Sequence, residues 1–332
     1  PLYAAEIIDY ALSEGLPVLT SNVEFHVTMG SCFEGRGYLS EAEGDQPGSF
    51  AALRAELIEM GFTPLAYGNL KRFSALNPTP EKMEYWAERQ GISLQQVTSF
   101  TDGTKLQLEM ALTGNAFGAG ILEPGMNCMQ AFDTEAFGVQ LAAAAKEARQ
   151  PLVDYAVSPD FPAGVLITAT ADDLRQAPYL KYLKMGDGPS YTFVRPFHLC
   201  HVEMIKTIRS ALAGAPPLLT NGRNPQLSVA AVAKRSLKAG ETIPNGIGSF
   251  LTRGICVDFA SEPNHVPIGL LYDATVKAPV TEGEIITFDQ IEVPDSFAFS
   301  TWTKTHRPRS ARALNPNNNP VLAPVGGSTK KD

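Results

Sequence analysis

The chain has 332 residues, of which 44% are hydrophobic and 19% are charged, as is typical of a globular protein with more than one domain. Its net charge of −8 argues against nucleic-acid binding, and no apolar run is long enough to cross a membrane. The cysteines are widely spaced, which predicts neither a disulfide framework nor a paired metal knuckle. They are Cys32, Cys128, Cys200 and Cys256. We therefore expect a cytoplasmic protein with reduced thiols and with no nucleic-acid or membrane partner.

The first 20 residues are typical of half of a βαβ unit. Apolar residues recur at helical spacing over residues 4–12, Gly15 can end that helix, and residues 16–20 predict a short buried strand. A parallel strand needs neighbours, so we expect the chain to begin inside a doubly wound domain. Residues 1–50 would then be the strand-rich, C-terminal part of a Rossmann-type dinucleotide-binding domain.

Two glycine-containing segments do not have the spacing of a dinucleotide loop. They are residues 114–120 and 246–248, and the first follows a predicted helix rather than a strand. Ordinary turn glycines are therefore the favoured interpretation of both. If the protein binds a dinucleotide, we expect the phosphate loop to lie upstream, so that these residues alone would bind the dinucleotide weakly.

The middle of the chain predicts an α+β domain over residues 51–220, which the resemblance described below assigns to catalysis and dimerisation. Helices are predicted at 50–60, 80–90, 102–116, 134–149, 171–183 and 198–212, and strands at 62–67, 163–170 and 191–194. Residues 106–116 and 134–149 have apolar faces that, with a second β module, could be self-complementary. Because symmetric dimers are the commonest oligomers, we expect a homodimer.

An internal repeat follows this domain. Residues 232–243 recur as residues 275–286, with Gly240-Glu241 aligned on Gly283-Glu284 and apolar neighbours aligned as well. This pattern predicts a duplicated all-β module over residues 221–300. Residues 301–332 are predicted to be a tail, which is mobile from about residue 310 because of its polar composition.

Two polar segments lie where an open α/β sheet binds ligands, beyond the carboxyl ends of its strands. Asn22 and Glu24 follow the first predicted strand, and Gln46 and Pro47 lie between two glycines that would allow close approach of a ligand. All four are candidates for cofactor contact. A capped polar loop and a plain turn are the alternatives.

The start of the predicted helix at residue 102 carries the candidate catalytic pair. Asp102 and Lys105 are three residues apart and share a helix face, where a lysine can polarise a carbonyl or move a proton. The free amides there favour an anionic group near Thr104. The alternative is a capping aspartate and a solvated lysine.

A second group of charged residues lies around residue 200. His198, His201 and Glu203 could resemble a metal site, but their spacing is not a recognised zinc pattern, and histidines that bond neighbouring carbonyls are favoured. The basic side chains nearby could form an anion pocket or simply pair with surface acids. They are Lys184, Arg195 and Lys206.

Together these segments resemble one family, the homoserine-dehydrogenase-like oxidoreductases with a C-terminal SAF domain, and within it the reductoisomerase-like members. The resemblance covers residues 1 to about 300, and the β module looks like the SAF, or β-clip, part. It is carried by Asn22-Val23-Glu24, Asp45-Gln46-Pro47-Gly48, Ser99-Phe100-Thr101-Asp102-Gly103-Thr104-Lys105, Tyr182-Leu183-Lys184-Met185-Gly186-Asp187-Gly188-Pro189 and Arg195-Pro196-Phe197-His198-Leu199-Cys200.

The resemblance implies an NADPH-dependent enzyme that converts 1-deoxy-D-xylulose 5-phosphate to 2-C-methyl-D-erythritol 4-phosphate. Lys105 and Asp102 would be catalytic, although homoserine dehydrogenases space such a pair one residue further apart. The phosphorylated substrate would be bound by Lys184, Arg195, Thr104, His198 and Lys206. A divalent metal, Mg²⁺ or Mn²⁺, is compatible with the resemblance, but the sequence assigns it no ligands.

Two other functions remain open from the sequence. One is a homoserine-dehydrogenase-like oxidoreductase that acts on another small hydroxy-acid or sugar, with acidic residues near the nicotinamide. The other is a SAF binding or assembly protein without catalytic activity, against which the presence of Asp102 and Lys105 argues.

Overall fold

The computed structural model describes the backbone of residues 1–313 and the side chains of residues 1–306. The fold is mixed α/β, as predicted. The first 45 residues are mainly helical and contain two strands of three residues each, so the expectation of a strand-rich region is wrong. The elements are α1 (Leu2–Ser13), β1 (Val18–Thr20), α2 (Val23–Phe25), a π-helical turn (His26–Gly30), α3 (Ser31–Phe33) and β2 (Leu39–Glu41). The two strands pair in parallel, with Val18 opposite Leu39.

A four-stranded sheet forms the centre of the next region, in the order β4-β3-β5-β6. Strand β3 pairs in parallel with β4 and antiparallel with β5. The strands are β3 (Phe62–Lys71), β4 (Leu152–Val157), β5 (Val165–Ala171) and β6 (Ser190–Arg195). Side chains alternate across the sheet, so Tyr67 packs with the helices of one face and Ala66 with the helix of the other.

Helices cover both faces of this sheet. On one face lie α4 (Gln46–Glu59) and α7 (Thr104–Phe117), and on the other lies α8 (Thr134–Ala148). The remaining helices of this region are α5 (Pro80–Gln90), α6 (Leu94–Thr101), α9 (Ala177–Tyr182) and α10 (Cys200–Leu212). Helix α5 has the predicted bounds, because Pro80 begins it and Gly91 ends it in the left-handed conformation.

Helix α7 is the central helix of the molecule. Every residue from Thr104 to Gly114 is buried, because α7 packs against β4 on one side and against the C-terminal β module on the other. The apolar side chains on all sides of this part of α7 therefore face the core. It follows that residues 106–116 do not offer the free surface on which the expected dimer was argued.

The C-terminal module is all-β and is built on a repeat, as predicted. Strand β7 pairs with β9, and β10 lies between β8 and β11. The strands are β7 (Leu227–Ala233), β8 (Thr242–Asn245), β9 (Thr252–Asp258), β10 (Tyr272–Val276) and β11 (Ile291–Glu292).

The two copies of the repeat meet at equivalent positions. Leu237 and Val280 exchange backbone hydrogen bonds at 2.9 and 3.1 Å, so the copies are related by a local pseudo-twofold axis. In each copy the turn glutamate accepts a bond from the backbone amide three residues before it, at 2.8 Å, for Glu241 and for Glu284. The duplicated turn is therefore confirmed in its details.

Several predicted limits differ from the structure. The domain boundary at residue 50 falls inside α4. The helix predicted at 171–183 is a 3-10 helix at Leu174–Gln176 followed by an α-helix at Ala177–Tyr182. The predicted tail begins as helix α11 (Phe297–Ala313), which contacts α1 and α3 and buries Trp302. Residues 314–332, the rest of that prediction, lie outside the described residues.

Two findings concern membrane-spanning helices and disulfides, both of which the sequence argues against. None of the helices in residues 1–313 is long and apolar enough to cross a bilayer. All four cysteines are free, as the spacing predicted.

Candidate active site around Lys105

The loop before α4 is shaped by its N-cap and by glycine. Asp45 caps the helix by accepting the backbone N–H of Gln46 at 3.0 Å, and Pro47 occupies the first turn, where it needs no donor. A Cβ on Gly48 would lie 2.2 Å from the carbonyl oxygen of Ala42, so only glycine fits there. The Asp45 side chain is thereby held at the buried start of a helix.

Lys105 brings three segments together. It lies in the first turn of α7, and its Nζ is 3.0 Å from Asp45 Oδ2 and 3.6 Å from Glu24 Oε1 of α2. Burial alone would lower the pKa of Lys105, but Asp45, Glu24 and Glu109 outweigh it and raise that pKa above the ordinary value. The ammonium group is therefore kept charged although it is buried.

Further polar side chains lie in the interior behind Lys105 and Asp45. Asn69 of β3 donates to Gln46 Oε1 and, at 3.2 Å, to Glu109 Oε2, while Lys71 Nζ lies 3.7 Å from the same Glu109 oxygen. Burial raises the pKa of Glu109, with Lys71 opposing the shift. The Gln46 side chain is thus buried and bonded to Asn69 in the protein interior.

His26 and Glu41 form a fully buried pair at the bottom of the site. His26 Nε2 lies 3.2 Å from Glu41 Oε2, and both side chains are inaccessible to solvent. Burial lowers the pKa of His26 to about 4 and raises that of Glu41 well above its ordinary value, and nearby Asp45 raises the latter further. Both shifts favour the neutral forms of the two groups over an ion pair.

A cavity of about 360 Å³ opens beside Lys105. Its polar wall includes Asn22 and Glu24, and α6 and the β module complete it. Its lining residues are Pro1, Ser21, Asn22, Glu24, Gln95, Gln96, Ser99, Phe100, Lys105 and Ile247. Asn22 and Glu24, the candidate cofactor contacts, therefore line the same cavity as the candidate catalytic Lys105.

The basic residues proposed for phosphate binding are largely paired with acids. Arg195 bonds Glu43 at 2.8 Å and also Glu203, and Lys206 lies 2.5 Å from Glu43 and 3.5 Å from Glu203. The Arg195 side chain is only 13% exposed. A phosphate group would have to compete with two carboxylates for these cations.

Lys184 lies elsewhere. It lines a different cavity of about 310 Å³ formed by the start of α8 and by β6, where Glu135 and Asp187 are neighbours. The turn at residues 184–189 is therefore not part of the wall around Lys105, in contrast to the predicted arrangement.

Asp102 and Thr104 make hydrogen bonds within the protein. Asp102 Oδ2 accepts from Lys234 Nζ at 2.7 Å, and its other oxygen accepts the backbone N–H of Thr104 at 2.9 Å. The Thr104 hydroxyl accepts the N–H of Gly254 at 2.9 Å. The predicted orientation of Lys105 by Asp102 is replaced by the contacts of Lys105 with Asp45 and Glu24.

His198 and Cys200 lie on the other side of Asp45. Each offers one ligand atom, and these atoms and an Asp45 oxygen lie within 4.8 Å of one another. Burial, and then Asp45, raise the pKa of Cys200 to about 11, and its thiol donates to the Gly44 carbonyl at 2.9 Å. His201 is exposed and Glu203 pairs with Arg195, so the three residues that face one another differ from the set considered in the sequence.

The four residues predicted to contact the cofactor have different environments. Asn22 and Glu24 line the cavity, whereas Gln46 and Pro47 are buried in the start of α4. A Cβ on Gly114 would lie 2.5 Å from Leu227, and one on Gly246 would lie 2.5 Å from the Ile268 carbonyl, so these glycines serve packing. Of the four, only Asn22 and Glu24 therefore face the cavity beside Lys105.

Sequence reasoning missed most of the acids in this site. Asp45 belongs to one of the motifs of the resemblance but has no role assigned from the sequence, and neither do Glu41, Glu109 and the basic Lys71. The Asp45-Gln46-Pro47 order is a recognisable N-cap signal that could have placed Asp45 at a helix start. Nothing in the spacing of the other three shows that they converge.

The site lies largely within one recognised domain. A family model described as the catalytic domain of oxidoreductase DRL matches residues 44–204, a range that contains Asp45, Lys105, Glu109, His198 and Cys200. Among curated proteins, none matches the chain. The match indicates that this chain contains an oxidoreductase catalytic domain.

Proposed function

We propose that this chain carries the active site of an NADPH-dependent oxidoreductase that acts on a CH–OH or C=O group of a small substrate. The observation that supports this proposal most directly is the position of Lys105. Its buried ammonium group is held by Asp45 and Glu24 at the wall of a cavity of about 360 Å³. The residues around it belong to the region that matches an oxidoreductase catalytic domain.

The charge of Lys105 suits one particular role. Because its pKa is raised, Lys105 stays protonated and can stabilise negative charge that develops on a substrate oxygen. It is a poor proton acceptor for the same reason. NADPH, when bound, would supply the hydride, and Asn22 and Glu24 are the proposed contacts for its reacting end.

The specific reaction that the resemblance implies is the reductoisomerase reaction on 1-deoxy-D-xylulose 5-phosphate. The shared motifs around Asp45, Lys105 and His198 support it, because these motifs meet at one site. In this reaction Lys105 would bind the ketone oxygen, and the phosphate would be held by Arg195 and Lys206, which requires displacement of Glu43 or Glu203.

The charges around Lys105 favour a second candidate, an oxidoreductase for an unphosphorylated hydroxy-acid or sugar. Glu24, Asp45 and Glu109 surround the lysine, and Arg195 and Lys206 are already paired. Acids close to the reacting centre suit a substrate with an ammonium or hydroxyl group better than one with a phosphate.

The proposal includes a SAF module and a homodimer, both of which the resemblance implies. The duplicated β module would be the SAF part, supported by its pseudo-twofold repeat. The protein would act as a homodimer, for which the frequency of symmetric dimers is the support. Light scattering at tens of micromolar would measure the oligomeric state.

The experiment measures NADPH oxidation by the full-length protein against a panel of phosphorylated and unphosphorylated ketoses and hydroxy-acids, and the reverse reaction with NADP⁺. We expect Lys105→Ala to reduce turnover by ~10²–10³-fold. Lys181→Ala is the control, because Lys181 is exposed and pairs only with exposed Asp187 among the described residues.

Rescue of turnover by small primary amines distinguishes a catalytic role of Lys105 from a purely structural one. Truncation of Lys105 leaves space next to the cavity, so added methylammonium should restore part of the turnover of Lys105→Ala. If turnover of Lys105→Ala stays within a few-fold of the wild type, with the melting temperature showing a folded protein, the proposal fails. Arg195→Lys separates the substrates: it should impair a phosphorylated one more than an unphosphorylated one.

A further inference from the structure

We propose that Asp45, His198 and Cys200 form a binding site for one zinc-like divalent cation beside Lys105. Their three ligand atoms lie within 4.8 Å of one another. Zinc bonds of about 2.0–2.3 Å place ligand atoms about 3–4 Å apart, so small side-chain rotations suffice to close the site. The chain thus brings a carboxylate, an imidazole and a thiol to one point.

The backbone holds the two contributing segments in contact. Asp45 is the N-cap of α4, Cys200 is the first residue of α10, and His198 lies two residues before Cys200. Gly44 has a φ of +113°, and a Cβ there would lie 2.7 Å from Cys200 Cα, so a larger residue would push the segments apart. The fold therefore holds Asp45 and Cys200 close together before any cation binds.

The surroundings of the three ligands also fit a cation. Asp45 is oriented by Lys105 Nζ and by the Gln46 amide, which is the kind of support that metal-binding carboxylates usually have. His198 Nδ1 is buried and finds no hydrogen-bond partner among the residues that the structure describes. Ligation through this nitrogen would satisfy a buried polar atom that is otherwise costly.

The ligand types select the cation. A thiolate and an imidazole favour zinc and similar borderline ions, whereas Mg²⁺ and Mn²⁺ favour oxygen ligands. Three protein ligands leave the fourth tetrahedral position open, as in catalytic rather than structural zinc sites. We therefore expect zinc rather than the Mg²⁺ or Mn²⁺ that the resemblance allows.

The position relative to Lys105 gives the cation a function. Asp45 would contact both the cation and the lysine, so a substrate oxygen at the open position would lie near the Lys105 ammonium group. Glu24 and Glu109 add negative charge nearby, which offsets the repulsion between the cation and Lys105. Zinc binding itself does not depend on the proposed reaction, so either proposal can fail alone.

Zinc content of the full-length protein tests the site. The protein is stripped with a chelator, loaded with zinc, dialysed and analysed by elemental mass spectrometry. We expect one zinc per chain, and with Co²⁺ a thiolate-to-cobalt charge-transfer band. Cys200→Ala and His198→Gln should each weaken zinc binding by ~10–100-fold or more, and Cys200→Ala should abolish the band.

Two variants control for unrelated thiols and imidazoles. Cys128→Ala and His201→Gln remove the same chemical groups outside the site, so both should bind zinc like the wild type. Circular dichroism of the stripped variants checks folding. A wild type that retains no zinc, or Cys200→Ala and His198→Gln variants that bind it as tightly as the wild type, would overturn the proposal.

Discussion

Lys234 Nζ lies 2.7 Å from Asp102 Oδ2, and both side chains are buried. Lys234 follows strand β7 of the C-terminal module, whereas Asp102 immediately precedes the central helix α7. Lys234 also donates to the Ser249 carbonyl at 2.6 Å. The pair therefore connects the β module to the start of the helix that carries Lys105.

Asp102→Asn should destabilise the protein more than it affects turnover. It leaves the buried Lys234 ammonium without its counter-ion, and breaking a buried pair in this way costs about 3–5 kcal/mol. Chemical denaturation would measure this loss. The double variant Asp102→Asn with Lys234→Met should recover part of it, because the unpaired charge is then absent.

The same variants distinguish a structural from a catalytic role for Asp102. In the fraction that is folded, turnover of Asp102→Asn should stay within a few-fold of the wild type, while Lys105→Ala loses much more. If the folded Asp102→Asn protein had ~10²-fold lower turnover, Asp102 would have the catalytic role that its spacing from Lys105 suggested.

Much of the secondary structure could be predicted because its signals are local. Helix α5 begins at Pro80 and ends before Gly91, and the repeated Gly-Glu turns identify the β module. Strand β4 was missed, since residues 152–157 resemble other short apolar runs. The helix α11 contact with α1 was also missed, because it joins the two ends of the described chain.

The site could be predicted only in part, because its contacts are long-range. Spacing placed Lys105 on the first turn of a helix, but it could not show that Asp45, sixty residues away, would be its closest partner. Asp102 and Lys105 share a helix face, yet the β module supplies a nearer cation for Asp102. Cys200 comes close to Asp45 only through the approach of two helix starts.

Gly48→Ala should be one of the most damaging small substitutions in the chain. The new Cβ would lie 2.2 Å from the Ala42 carbonyl oxygen, and backbone atoms at this distance cannot move aside easily. We expect a loss of about 3 kcal/mol or more, together with displacement of Asp45 from Lys105. Thermal and chemical denaturation measure the loss.

Gly61→Ala is the matched control for that substitution. Gly61 has a φ of +80°, and a Cβ there would meet no atom within 4 Å, so only backbone strain is introduced. We expect a cost of about 1 kcal/mol. Equal losses in the two variants would show that the contact between Gly48 and Ala42 is not the controlling constraint.

Asp154 should make stability fall as the pH rises. Burial raises the pKa of this β4 carboxyl from the ordinary 3.8 to about 6, although the backbone amides of Tyr155, Asn127 and Cys128 oppose the shift. Below pH 3.8 the carboxyl is protonated in both folded and unfolded chains. As the pH rises towards 6, the unfolded chain loses its proton first and is favoured by about 3 kcal/mol in total.

The comparison with Asp154→Asn isolates this contribution. The difference in unfolding free energy between wild type and variant should change by about 2 kcal/mol between pH 4 and pH 7, in the direction of a less stable wild type at the higher pH. Denaturation at a series of pH values measures it. The exposed Asp160→Asn variant is the control, and a difference for Asp154→Asn that is independent of pH would contradict the prediction.

Glu41→Gln should be tolerated although Glu41 is fully buried. Its raised pKa and the lowered pKa of His26 favour a neutral contact at 3.2 Å, and a glutamine amide matches a protonated carboxyl in size and charge. We expect a change of less than about 1 kcal/mol in unfolding free energy, measured by chemical denaturation at pH 7. Glu41→Ala should cost about 2–5 kcal/mol, because it removes the buried group that lies against the His26 ring and leaves a cavity there. If His26 and Glu41 were instead an ion pair, Glu41→Gln would leave a buried imidazolium unpaired and cost about 3–5 kcal/mol, so the size of this one difference decides the charge state of the pair.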